Sequence, residues 1–163
     1  MYNGLYITAT GPMTGKSAIA LGAMQLLSRS MRNVAFFRPI INEPVWDDRD
    51  PDIHLMLEYF KIKMDYADTF AYTQREARQI INQGSRNLLI ENIIQKYKKL
   101  LETFDFVLCV GTDFLAKDPV FEFDLNADIA ANLGCPVLVV ANAEDKSAQE
   151  IIDSTQLTLD QLD

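Results

Sequence analysis

Cysteine, histidine and tryptophan are all scarce in this chain of 163 residues, at two, one and one. Cys109 and Cys135 both lie inside apolar runs. That placement points to buried free thiols and away from a disulfide framework or a thiolate metal site. The single histidine, His54, falls on the outer side of a predicted helix and reads as a surface residue. No Ser/His/Asp or Cys/His constellation can be assembled around it. Trp46 lies in an acidic loop and reads as local packing. Cations are short as well: 15 Lys and Arg against 23 Asp and Glu leave a net charge of −8. A nucleic-acid partner would call for a basic surplus or stripe, so none is expected. The one dense basic cluster, Lys96, Lys98 and Lys99, shares its helix with Glu91 and Glu102 and reads as a solvated face. No apolar run approaches the roughly 18 residues of a membrane span. The opening "MYNGLYITATG" lacks the basic-then-apolar order of a secretory signal. A cytoplasmic protein with no membrane partner is the expectation.

What the chain has is a set of apolar runs separated by helical patterns. Leu5 to Thr10, Val34 to Ile40, Phe104 to Gly111 and Pro136 to Ala143 read as strands. "VAFFRPI", "FDFVLCVG" and "PVLVVANA" are continuously apolar, the signature of strands covered on both faces. Phe36, Phe37, Phe104 and Phe106 read as core. Between the strands, Ser17 to Ser30 carries Ile19, Ala20, Ala23, Met24 and Leu27 on one stripe. Ile53 to Lys61 carries Ile53, Met56, Leu57 and Phe60, and Ser85 to Thr103 carries Ile90, Ile93, Ile94, Tyr97 and Leu101. Asn126 to Leu133 ends at Gly134, a natural helix stop. A last helix opens with a Ser147/Glu150 capping box, and Ile151, Ile152, Thr155 and Leu159 continue its inner stripe. Strand and helix in alternation predict an α/β fold of three layers, a mostly parallel sheet with helices on both faces. Residues 1–163 read as a single domain. The segment "NEPVWDDRDP", Asn42 to Pro51, reads as a surface loop.

The stretch "TATGPMTGKS", residues 8–17, follows the first strand and opens the first helix. Strand, glycine-bearing turn, then helix is the arrangement that holds phosphate, because backbone N–H groups and the helix dipole converge on the anion. In a phosphate loop the lysine reaches the β- and γ-phosphates and the next hydroxyl ligates Mg²⁺. Thr10, Gly11, Thr14, Gly15, Lys16 and Ser17 are the candidates. The strict pattern asks for glycine at Thr10, and Pro12 contributes no N–H. Three more groups belong at the carboxyl edge of the sheet, where open α/β sheets bind ligands. Arg38 holds an anion or is a surface arginine. Asp52 ligates Mg²⁺ or caps the helix that begins at Ile53, the cap being favoured. Asp113, in "GTDF", ligates metal or stabilises a turn.

Taken in order, "LYITATGPMTGKSAIALGAMQLLSR", "VAFFRPI", "DPDIHLM", "YTQREARQIINQG", "DFVLCVGTDF" and "NADIAANLGCPVLVV" resemble the N-terminal P-loop domain of long bacterial phosphate acetyltransferases. That domain is similar to dethiobiotin synthetase. The resemblance implies a P-loop NTPase-like fold and a loop variant whose first small residue lies six before Gly15, at Ala9. It implies ATP or another nucleotide as ligand, with Mg²⁺ held by Ser17 and Asp52. A third acidic ligand of the synthetases falls on Val110, which cannot ligate, and Asp113 is the nearby substitute. Arg38 stands where the synthetases carry a substrate-carbamate lysine. Asn142 stands near their adenine contact. The parent reaction, acetyl transfer between coenzyme A and phosphate, belongs to a C-terminal domain outside these residues. The resemblance therefore implies a nucleotide-binding regulatory domain, with a homodimer as the expected assembly. The alternatives are a small ATP- and Mg²⁺-dependent ligase of the synthetase type and a degenerate domain kept for assembly.

Overall fold

The computed structural model describes residues 2–11, 14–43, 49–112, 119–141, 143 and 146–160. Among the described residues, five parallel strands form one sheet: β1 (Gly4–Ala9), β2 (Val34–Ile41), β3 (Phe70–Thr73), β4 (Phe106–Val110) and β5 (Val137–Val140). Their order across the sheet is β3-β2-β4-β1-β5. The helices are α1 (Lys16–Ser30), α2 (Pro51–Phe60), α3 (Gln74–Asn82), α4 (Arg86–Leu101), α5 (Pro119–Leu133) and α6 (Ala148–Asp160). The expected three-layer α/β architecture is therefore the observed one.

Period-two alternation divides the core in two. On β2, Val34 and Phe36 point to the face packed by Ala20 and Met24 of α1 and by Ile53 and Met56 of α2. Ala35 and Phe37 point to the other face, against Leu89, Ile93 and Tyr97 of α4 and Leu125 and Ile129 of α5. All eight β2 residues are buried. Both faces draw on the same apolar run, which is why the strand lacks polar alternation. Burying a large apolar side chain in such a layer contributes roughly 1.5–3 kcal/mol.

Two elements were absent from the sequence expectation. β3 is a four-residue edge strand with every residue only partly buried, too short and too mixed to stand out. α3 fully buries Ala77 alone among its residues, with Ile80 and Ile81 partly buried against the core and the rest polar. Its signal was the Thr73/Glu76 capping box, which is present with both reciprocal bonds. α5 begins earlier than Asn126, at Pro119. Two stripe assignments also need correction. Ile19 is 45% exposed and Ile152 is 59% exposed, because each lies at the margin of a helix face that the sheet does not reach. The Ser147/Glu150 box forms as expected, with Ser147 Oγ donating to Glu150 at 2.7 Å.

Candidate functional site

The phosphate loop stands where β1 hands over to α1, at the carboxyl edge of the sheet. Its first residue and the neighbouring end of β4 are fixed by the ladder. Thr10 N–H donates to Val140 O at 3.0 Å, and Gly111 N–H, just past β4, donates to Ile7 O at 2.8 Å. Thr10 thus uses its own amide within the sheet. Gly15 takes the left-handed conformation, φ 81°, at the position before α1. That conformation suits glycine and turns the chain sharply into the helix. No side chain caps α1, and no acidic residue stands in its first turn. The helix itself therefore supplies no carboxylate to the positive end of its dipole.

Lys16 is only 4% exposed, and its ammonium donates to the carbonyl of Gly111. Gly111 and Thr112 are held from behind by a buried polar chain. Burial keeps the Tyr6 hydroxyl protonated far above its ordinary range, so it stays a donor. It donates to Asn126 Oδ1 at 2.8 Å, and Asn126 Nδ2 donates to Thr112 O at 3.2 Å. Tyr6 and Asn126 were not among the sequence candidates, since nothing in a core tyrosine's spacing marks such a bond.

Beside the loop lies a charged cluster. Ser17 Oγ donates to Asp52 Oδ2 at 2.9 Å. The same oxygen accepts from Arg38 Nη1 at 3.1 Å. Arg38 Nη1 also donates to both oxygens of Asp50, at 2.8 and 2.7 Å. Arg38 is 5% exposed and sits within β2, so it is a buried ion-pair member and not a surface arginine. The helix cap favoured for Asp52 belongs to Asp50, whose side chain accepts from Asp52 N and Ile53 N. Asp52 stands one turn position further on, which frees its carboxylate to face Ser17. The sequence reading missed Asp50. The signal was the Asp-Pro pair itself, since proline favours the first helical position directly after a cap.

Ser17, Asp52, Arg38 and Lys16 thus meet at one edge of the sheet. Asp113 and Asn142 lie outside the described residues, as do Pro12 and Trp46. His54 is exposed, as expected. Lys98 is exposed, but Lys96 donates to the carbonyls of Ala67 and Phe70, so that cluster is partly structural. A separate hollow of about 540 Å³ runs along α3, lined by Glu43, Arg75 and Arg78 among others and by no phosphate-loop residue. The chemistry favours the loop over this hollow, whose arginines are solvated. No described helix is long and apolar enough to cross a membrane.

Comparison with known proteins gives a consistent picture. Residues 3–163 match the profile of a family described as an AAA domain. A phosphate acetyltransferase of Nitratidesulfovibrio vulgaris is 61% identical over the whole chain, which covers 23% of that protein. One from Synechocystis is 35% identical with the same coverage. The matching part is the N-terminal portion. An ATP-dependent dethiobiotin synthetase of Sulfurovum is 29% identical over 83% of this chain and 67% of that one. Among solved structures, a tyrosine kinase domain named BceF superposes with a TM-score of 0.51 at 16% identity, covering 98% of this chain and 64% of its own. That likeness speaks to fold alone.

Proposed function

The chain belongs to the AAA domain family, and from that membership we propose that it is a nucleotide-binding P-loop domain with a regulatory role, the N-terminal part of a phosphate acetyltransferase. The chain spans about a quarter of the length of the phosphate acetyltransferases it matches. Acetyl transfer between coenzyme A and phosphate is accordingly assigned to residues beyond this domain. ATP or ADP would bind at the carboxyl edge of the sheet, between the loops that follow β1 and β4.

One observation carries the proposal: the uncapped start of α1, with Gly15 in the left-handed conformation and Lys16 directly behind it. Backbone amides at a helix start and a buried ammonium form a site suited to a phosphate group. In the roles this assigns, Gly11, Thr14 and Gly15 shape the loop and Lys16 meets the β-phosphate. Thr10 contributes its side chain, and Ser17 and Arg38 border the phosphates. Asn142 is assigned the base contact by its place in the family pattern alone. Lys16 would exchange its bond with Gly111 for the phosphate, and the Tyr6–Asn126 chain would keep Gly111 in place meanwhile.

The likeness to a dethiobiotin synthetase favours a second reading, an ATP-dependent ligase. That reading requires turnover. Calorimetric titration of ATP and ADP, run beside an assay for ADP release, separates the two. Binding without turnover is expected. Lys16→Ala should weaken binding at least about tenfold, or about 1.4 kcal/mol. Unchanged affinity would remove the loop from the site. The family reading also carries a homodimer in the cytoplasm, which sedimentation velocity and cell fractionation would check.

A further inference from the structure

We infer that the Arg38 guanidinium takes the place of a divalent cation at this site, so that the domain binds nucleotide without metal. The inference rests on the nucleotide reading above. In a phosphate loop, Mg²⁺ is held by the hydroxyl that follows the lysine and by a neighbouring carboxylate, and it neutralises the phosphates. Here that hydroxyl is Ser17 and the carboxylate is Asp52, joined at 2.9 Å.

The oxygen of Asp52 that meets Ser17 also accepts from Arg38 at 3.1 Å. Arg38 is held there from behind by both oxygens of Asp50, and Asp50 is fixed as the cap of α2. Its backbone N–H donates to Tyr66 Oη at 2.6 Å, which anchors it further. A metal ion on Asp52 would lie against this immobile positive charge, beside a carboxylate that is only part-buried.

The ligand supply points the same way. Mg²⁺ at phosphate sites is held through one or two protein carboxylates with water and phosphate oxygens, and the carboxylate at Ser17, Asp52, is already bonded by Arg38. Among the described residues, no group of three or more Asp, Glu, His or Cys side chains is placed to hold a metal. The end of β4 presents Val110, Gly111 and Thr112 beside the loop, none of them acidic. The donor supply, by contrast, suits an anion. Arg38 Nε, Thr14 Oγ1 and Thr112 Oγ1 are buried without a hydrogen-bond partner. Nε is a donor only, and both hydroxyls can donate. The ligand class that follows is the free nucleoside di- or triphosphate. Lys16 and the α1 amides meet its charge, while Arg38 holds Asp52 and offers Nε as a further donor.

Two measurements test this on the whole chain. The first is calorimetric titration with ADP, once in MgCl₂ and once in EDTA. Affinities within about twofold of each other are expected, whereas a gain of about tenfold in MgCl₂ would overturn the inference. The second is electron paramagnetic resonance of Mn²⁺ with no nucleotide present. The wild-type chain should retain none, and Arg38→Met, which releases both carboxylates, should retain one ion that Asp52→Asn in the same background removes. Mn²⁺ held by the wild-type chain at one competable site would overturn the inference whether or not the variant folds. If ADP binds in neither buffer, the nucleotide reading fails. The Mn²⁺ result then decides the place of Arg38 alone: an ion gained by Arg38→Met supports it, and no gain refutes it.

Discussion

Replacing Asp50 by alanine should be among the most costly single substitutions in this domain, although Asp50 is far from any apolar core layer by type. Two jobs end at once. The carboxylate accepts from Asp52 N at 3.0 Å and Ile53 N at 3.1 Å, capping α2. Losing such a cap costs about 1 kcal/mol. It also holds Arg38, and the two side chains are 2% and 6% exposed. Breaking a buried pair by removing one partner costs roughly 3–5 kcal/mol, because a desolvated charge is stranded. Asp52 still meets Arg38 at 3.1 Å, and its side chain is 27% exposed, so the loss is partial. We set the ion-pair share at about 2–3 kcal/mol and the total at about 3–4 kcal/mol. Against a typical stability of about 5–15 kcal/mol, that is a large fraction, equivalent to roughly 10 °C in Tm. Urea unfolding followed by circular dichroism measures it. Asp50→Asn keeps the cap and loses only the charge, so it should cost about half as much. Arg38→Met combined with Asp50→Asn should recover stability relative to Asp50→Ala, since no buried charge is left opposite a neutral partner. A cost for Asp50→Ala below about 1 kcal/mol would refute the account.

Two further outcomes follow from the far face of β1. Gly4→Ala places a methyl 2.3 Å from Tyr97 Oη and 2.8 Å from Cys135 Sγ, so it should destabilise by about 1–3 kcal/mol, and Tyr97→Phe in the same background should return part of that. Equal stability of Gly4→Ala and wild type in urea would show that the pocket is looser than the coordinates have it. The thiols give a pH dependence. Hydrogen bonding from Cys109 and from Tyr97 lowers Cys135 to about 7 against the opposing effect of burial. Burial pushes Cys109 well up. A thiol lowered on folding adds stability that is complete above its unfolded value, near about 8.5, and is lost as pH falls through 7. A raised thiol subtracts stability once pH passes about 8.5. Unfolding free energy should therefore climb from pH 7, peak near pH 8.5 and decline, and Cys135→Ala should lose the climbing limb; an unchanged profile in that variant would sink the assignment.

The continuous runs around Phe36 and Leu108 announced their strands because burial on both faces leaves no room for polar alternation. The run around Val139 forms the edge strand β5 with Leu138 40% exposed, so the two-sided cover expected of it is not found. Lys16 and Ser17 announced the phosphate loop because the turn chemistry is local: the glycine, the ammonium and the helix start are neighbours in the chain. The cap of α6 was legible for the same reason, since Ser147 and Glu150 are three residues apart. Even α3, which went unrecognised, carried a local sign in Thr73 and Glu76. Each of these properties depends on residues within one helical turn or one strand of each other, and a chain displays such relations without folding.

Tertiary structure alone decided the relations across loops. Asp50 and Arg38 are 12 positions apart, Ser17 and Asp52 are 35 apart, and Lys16 and Gly111 are 95 apart. No spacing rule links such pairs; the β3-β2-β4-β1-β5 order links them, by bringing the ends of β1, β2 and β4 to one edge. That order also decided that Asp52, two positions past the cap, faces the serine. A carboxylate two positions along a helix start points to a different neighbour, and only the packed sheet supplies the neighbour.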